Sequence, residues 1–148
     1  MTVDLAPFTT LVPGDHGLVV VSTTRADGTV QSSVVNAGVI DHPVSGEAVV
    51  AFVSAGSALR LRHLRARPRA TVVVRAGWQW AAVEGSVELA GPDDALEGIA
   101  GDRLPSLLRE IFTAAGGTHD DWDEYDRVMA AERRVAVFVH PERVYGPG

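Results

Sequence analysis

Ser54-Ala-Gly-Ser-Ala-Leu-Arg-Leu-Arg-His-Leu-Arg-Ala-Arg-Pro-Arg69 is where the periodicity of the chain changes. The run before it, Glu47-Ala-Val-Val-Ala-Phe-Val-Ser54, is β-branched and apolar enough for a buried strand. From Ser57 onward Leu59, Leu61 and Leu64 are interspersed with arginines, and Pro68 stops the pattern. The spacing predicts a short helix from about Ser57 to Ala66, with Ser57 or Ser54 near its N-cap. A helix N-terminus presents free N–H groups and a partial positive charge, and anions settle there. Gly56 would let a ligand approach the backbone. Ser54 and Ser57 can donate hydroxyl hydrogen bonds, and Arg60, one turn in, can fork onto phosphate oxygens. The alternative for the same residues is a solvent-facing basic helix whose leucines pack inward. Arg62, Arg65, Arg67 and Arg69 do not all point at one site on either reading.

Upstream, Gly17 to Thr24 and Thr29 to Val39 are strand-like runs joined across Asp27-Gly28, a tight-turn signal. Together they read as a β-hairpin. Asp41 to Gly46 reads as a turn, and Met1 to Val12 as a short leading helix. Downstream, Ala70 to Val74 and Trp78 to Leu89 form a second hairpin around Ala76-Gly77, closed by Gly91-Pro92. Asp93 to Ala115 is helical in pattern, interrupted by Gly98, Gly101 and Pro105, and Gly116-Gly117 ends it. Thr118 is expected to cap another helix, with Asp121 three residues on. Arg133 to His140 is a last strand, followed by Pro141 and a short extension from Arg143 to Tyr145. The order is three strands, a helix, two strands, helices and a final strand. It predicts a mostly β fold with few helices, a closed or split barrel of six or seven antiparallel strands.

A chain of 148 residues fits one domain, 1–148. It contains no cysteine, which excludes disulfides, thiolate zinc sites and cysteine nucleophiles. No stretch approaches a membrane span, and the N-terminus lacks the basic and apolar regions of a signal peptide, so cytoplasmic localisation is expected. The net charge of −6 argues against a nucleic-acid partner. All thirteen basic residues are arginine, and six of them, Arg60 to Arg75, fall within sixteen residues. Eleven of the nineteen acids lie between Asp93 and Glu132. A basic patch in an acidic protein suits a small anionic ligand better than a polymer.

Further constellations are weaker. Trp78 and Trp80 alternate onto one strand face, as a wall for a planar heterocycle or as core and interface residues. Gln31-Ser-Ser-Val-Val-Asn36 places polar residues in a β-branched strand, where they line a groove or mark an exposed edge. His119-Asp-Asp-Trp-Asp-Glu-Tyr-Asp126 lacks the glycine and spacing of a calcium loop and reads as a solvated helix start. His16, His42, His63, His119 and His140 form no ligand-spaced pair, so no metal site is expected. No nucleophile elbow, P-loop or dinucleotide fingerprint is present.

The string Leu59-Arg-Leu-Arg-His-Leu-Arg-Ala-Arg-Pro-Arg-Ala70 resembles the phosphate-site helix and following strand start of the pyridoxamine 5′-phosphate oxidase-like superfamily. With Gly77-Trp78, Val83-Glu-Gly-Ser86, Asp121-Trp-Asp-Glu-Tyr125, Arg133-Arg-Val and Val144-Tyr-Gly146, the chain is similar to its actinobacterial branch that uses the deazaflavin coenzyme F420. The resemblance runs from about Gly17 to Gly146. It implies an FMN-binding-like split β-barrel and a homodimer with cofactor sites at the interface. It implies hydride transfer between reduced F420 and a small unsaturated organic substrate. The alternatives are an FMN-binding flavoprotein of the same fold, or a non-catalytic flavin or tetrapyrrole binder. The resemblance places the cofactor phosphate at Arg60, with Ser54 and Ser57 in the same corner. It places Gln31, Ser32 and Ser33 along the ring or ribityl chain, and Trp78 near the cofactor. Relatives often carry a basic residue where this chain has Ala58. Ser33 stands where true pyridoxamine phosphate oxidases have arginine. No catalytic acid or base is implied.

Overall fold

The structure, a computed structural model, describes residues 3–147. The first two residues of the expected Met1–Val12 helix lie outside them. Within the described residues the helix is α1, Ala6–Leu11, which runs directly into a 3-10 turn at Val12–Asp15. The strands are β1 (Leu18–Thr24), β2 (Val30–Asp41), β3 (Ala48–Ser54), β4 (Arg69–Ala76), β5 (Gln79–Ala90) and β6 (Val135–Tyr145). Helix α2 (Leu59–Ala66) links β3 to β4, and α3 (Leu104–Ala114) and α4 (Trp122–Ala131) lie between β5 and β6. All six strands pair antiparallel and close into a barrel in the order β1-β2-β3-β6-β5-β4, with β4 back on β1. This is the expected split-barrel architecture. Among the described residues, no helix is long and apolar enough to cross a membrane.

Strand alternation sorts the side chains into two cores. Val19, Val21, Val35, Ala37, Val50, Phe52, Val72, Val74, Val137 and Val139 fill the barrel interior. The opposite faces of β3 and β6 are also buried, because α3 lies on them. Leu107, Leu108 and Ile111 pack over Ile40, Val49, Ala51 and Phe138. That double burial explains why both strands read as continuous apolar runs. Gly38 on β2 admits the end of α3: a Cβ there would lie 2.5 Å from the carbonyl of Ala114. The outer faces of β1 and β2 have no such cover. Leu18, Val20, Val30 and Val34 stay exposed there, Val34 at 62%.

Five local expectations are corrected. Helix α2 has Ala58 as its N-cap, and neither Ser54 nor Ser57 caps it with a side chain. The chain from Asp93 to Ala100 is turn and bend, and regular helix begins only at Leu104, where Pro105 occupies a first-turn position. Gly98 at φ 89° cannot belong to a right-handed helix. Asp121, not Thr118, caps α4, its Oδ1 accepting from the Glu124 N–H at 3.1 Å. Trp78 sits in the β4–β5 turn beside Gly77 (φ 64°), so it is not a strand partner of Trp80. Finally, β6 runs through Pro141 without a break. A register shift at Glu84/Gly85 absorbs the proline, and Gly85 is needed because a Cβ would fall 1.6 Å from the His140 carbonyl oxygen.

Candidate functional site

Arg60 projects from the first turn of α2 toward the ends of β2 and β3. Its Nε donates to Ser33 Oγ at 3.3 Å and its Nη1 to Ser54 Oγ at 2.9 Å. Ser54 is fully buried, and its hydroxyl donates in turn to the Ala55 carbonyl at 3.2 Å. Ser33, Ser54 and Arg60 therefore form one connected chain from three different elements. Arg60 is half-buried, and among the described residues no carboxylate pairs with it. Burial first, and then the nearby Arg134 charge, push its guanidinium below the ordinary arginine value. A half-buried cation bonded only to hydroxyls is under-compensated.

The other arginines of the patch are spoken for or face water. Arg65 forks onto Asp94 at 2.9 and 2.7 Å. Arg67 Nε donates to the Thr24 carbonyl at 2.8 Å, and Arg69 pairs with Glu142 at 3.1 Å. Arg75 donates to the Gly77 carbonyl at 3.0 Å, and Arg62 is exposed. The patch is thus dispersed, and only Arg60 turns into a recess.

That recess is a cleft of about 430 Å³ between β2, β3 and the α3–α4 pair. Val34, Val53, Phe112 and Met129 form an apolar wall, while Arg60, Arg134 and Asn36 supply the polar end. Asn36 Nδ2 is committed to the carbonyls of His16 (2.6 Å) and Ala115 (3.2 Å), so it ties α3 to the start of β1. Tyr125 is buried, donates to the Leu108 carbonyl at 3.1 Å, and burial pushes its phenol up to about 12. It therefore stays protonated at physiological pH. Phe112, His119, Trp122 and Tyr125 form an aromatic cluster of edge-on and tilted pairs with ring centroids 5.0 to 6.5 Å apart, which stiffens the helical wall.

The remaining expected site residues fall elsewhere. Ser32 points to the outer face and shares a hydrogen bond with Ser22 Oγ at 2.8 Å. Gln31 points the same way as Ser33, and its Oε1 is buried without a partner among the described residues. Ser57 is exposed and borders a neighbouring recess with Gly56, Asp93 and Arg133. Trp78 is 96% exposed at the far end of the barrel. Val72 lies opposite Val21, which lies opposite Ser33, and Trp78 is six residues beyond Val72. At strand spacing that is roughly 20 Å, too far to reach Arg60 within one chain. Gly56 is used differently from the expectation. The space over its Cα is taken by the chain itself, with Arg133 O 2.4 Å from a Cβ built there, so no ligand approaches.

The helical wall and Arg134 were missed by sequence reading. Phe112, Met129 and Arg134 lie more than fifty residues beyond Arg60, and only the Arg133-Arg-Val string of the resemblance touched them. A second missed group is His42, Glu88 and His140, whose ligand-type atoms lie within 4.8 Å of one another. It unites the turn after β2 with β5 and β6, which sequence spacing keeps apart. Its protonation disfavours a metal. His42 Nδ1 accepts from the N–H groups of Val44 and Ser45, both at 3.2 Å. In the neutral ring the proton must then sit on Nε2, 3.0 Å from Glu88 Oε1, where a metal would need a lone pair. Glu88 Oε1 also contacts His140 Nε2, so one carboxylate oxygen lies against both imidazoles and ties β5 and β6 to the 42–46 turn.

The sequence matches no known family model. Solved structures do match. An FMN-binding protein related to pyridoxamine 5′-phosphate oxidase, from Nostoc punctiforme, superimposes with a TM-score of 0.68 at 9% identity, over 99% of this chain and 86% of that one. An F420 reductase gives 0.61 at 18% identity, over 92% and 94%. A heme-binding protein from Mycobacterium smegmatis gives 0.65 at 15% identity, over 100% of this chain and 55% of the other. At such identities the likeness concerns the fold. The chain has a split β-barrel fold, which it shares with an FMN-binding protein, an F420 reductase and a heme-binding protein.

Proposed function

We propose that the protein is an F420-dependent oxidoreductase that transfers a hydride between reduced deazaflavin and a small unsaturated organic substrate. The observation that carries the reading is Arg60, a half-buried guanidinium with hydroxyl partners and no carboxylate, at the mouth of a cleft with an apolar wall. Such a cation is stabilised by an incoming anion, and the cofactor's phosphate is that anion. Arg60 would bind it, with Ser54 and Ser33 holding the guanidinium in position. Val34, Val53, Phe112 and Met129 offer apolar surface to a ring and exclude water from it. When bound, the deazaflavin supplies the hydride chemistry itself. No side chain is assigned as acid or base, and the phenol of Tyr125 is too firmly protonated to serve as one.

A homodimer belongs to this reading. The uncovered apolar face of β1 and β2 borders the cleft at Val34, and Trp78 can meet a cofactor only if it comes from a second chain. FMN in the same cleft is the second reading, favoured by the likeness to an FMN-binding barrel. The test is an absorbance titration of the apo protein against F420 and FMN, followed by turnover of the reduced cofactor with enones, quinones and biliverdin. F420 binding at micromolar concentration with turnover of one substrate class supports the proposal. Tight FMN binding without F420 binding transfers it to the second reading. Binding without turnover leaves a carrier, and binding of neither cofactor removes both readings.

A further inference from the structure

A packing device that sequence spacing hides brings Arg134 to Arg60. The Gly56 N–H donates to the Glu132 carbonyl at 3.1 Å, and Arg133 takes a left-handed φ of 50° in the turn that follows α4. Only glycine at position 56 lets this turn sit so close to the β3–α2 link. The next residue, Arg134, then lines the same cleft as Arg60. Two guanidinium groups at one cleft repel each other, and the Arg134 charge adds to burial in disfavouring the Arg60 cation. An anion between or beside the two would relieve that repulsion.

Arg134 has one resident anion, Glu132, two residues before it. Its Nε donates to Oε1 at 2.8 Å, and its Nη2 lies 2.8 Å from the same oxygen. This is a single-oxygen contact, not a two-oxygen fork, and the carboxylate is 47% exposed on the turn. Its partner can exchange it for a better anion at little cost. The terminal phosphate of FMN offers three oxygens and up to two charges, and a diester phosphate such as that of F420 two oxygens and one charge; both carry enough oxygens to accept from Arg60 and Arg134 together.

We infer that Arg60 and Arg134 form a two-arginine phosphate clamp, and that Glu132 is a counter-ion the phosphate displaces. This rests on the cofactor reading above and adds a specificity to it. The cleft selects a phosphorylated ring ligand over the same ring without phosphate. Arg134 sets that selection, although no sequence pattern pointed to it as a ligand.

FMN and riboflavin share the ring and ribityl chain and differ by the phosphate, so they read the clamp directly. Dissociation constants for both are measured with wild type, R134Q and E132Q at fixed ionic strength. The expected result is a loss of about tenfold in the FMN-to-riboflavin preference for R134Q. E132Q, which removes the competitor, should tighten FMN about threefold and leave riboflavin unchanged. Opposite signs for the two variants are the signature, because a merely structural Arg134–Glu132 pair would move both in the same direction. Equal effects on FMN and riboflavin, or no change in R134Q, overturn the clamp while leaving cofactor binding intact. If neither ring ligand binds the wild type, the FMN reading falls, while the F420 reading is decided by its own titration. Inorganic phosphate then tests the clamp alone: at matched ionic strength it should raise the melting temperature of wild type but not of R60Q or R134Q. No effect on wild type overturns the clamp as well.

Discussion

Arg60, on α2 at the cleft, and Arg109, on α3, meet opposite fates. Arg109, on α3, binds both oxygens of Asp126 on α4, with its Nε 2.9 Å from Oδ1, and its guanidinium lies 5.4 Å from the centre of the Trp122 ring. Hydrogen bonding to Asp126 raises the pKa of Arg109 and lowers that of its partner. Arg60 has two serine hydroxyls and a like-charged neighbour, and its pKa moves the other way. The first arginine closes a structural junction with an anion from its own chain. The second is left open, and an open cation at a cleft is a request for an anion from outside. Charge count and helix position do not separate the two cases; the partners do.

The comparison can be broken at its hinge. Gly56→Ala forces a Cβ against the Arg133 carbonyl oxygen and so displaces the turn that carries Arg134. It should cost ~1–3 kcal/mol of stability, the usual range for overpacking, and weaken cofactor binding besides. Chemical denaturation with a parallel titration checks both effects, and unchanged stability would show that the turn has another way to sit. Ser54→Ala removes one of the two hydroxyls that aim Arg60. A loss of about 1 kcal/mol in cofactor affinity is expected. An unaltered affinity would mean that Ser33 alone positions the guanidinium.

Arg109→Gln sharpens the contrast from the other side. It should lower the melting temperature and leave the cofactor dissociation constant unchanged, because Asp126 loses its partner while the cleft keeps its cations. The pH dependence follows from the same pair. In the folded state hydrogen bonds from Arg109 hold Asp126 below the ordinary carboxylate range, those from Arg133 do the same for Asp93, and those from the Ser86 N–H and Arg69 for Glu142. The unfolded chain therefore binds more protons as the pH falls. The stability these groups contribute is complete above the unfolded carboxylate range and is lost as the pH drops through the folded values. Acid melting curves should show this decline in wild type, reduced in Arg109→Gln and unaltered in Arg60→Ala. An equal change in both variants would erase the distinction between a paired and an open arginine.

The barrel was legible because strand and helix periods differ and because two turns carry strong local signals. Asp27-Gly28 and Ala76-Gly77 both sit in hairpin connections as expected. Double burial under α3 made β3 and β6 read as uninterrupted apolar runs, which is also a reliable signal. Capping was less legible. Thr118 and Asp121 are both chemically able to cap, and local sequence does not separate them; α4 starts at Trp122, with Asp121 as its cap. Gly56 was misread because a glycine that admits a ligand and one that admits the chain itself look the same in sequence. Ser33, Ser54 and Arg60, singled out from the strand-to-helix junction and the family resemblance, are brought into one hydrogen-bonded chain. Arg134 and the Phe112–Met129 wall depend on tertiary packing across α3, α4 and β6, which no local spacing encodes. The His42–Glu88–His140 tie escaped for the same reason.

The central claim is that the anion missing from Arg60 is the cofactor's phosphate. The most direct test is the dissociation constant of F420 and of FMN for wild type and Arg60→Ala, with Arg65→Ala as the paired control from the same helix. Arg60→Ala should weaken whichever cofactor binds by ~1.5–3 kcal/mol, the magnitude of a charged hydrogen bond, while Arg65→Ala leaves it unchanged. A near wild-type dissociation constant for Arg60→Ala, or equal losses in the two variants, would contradict the account.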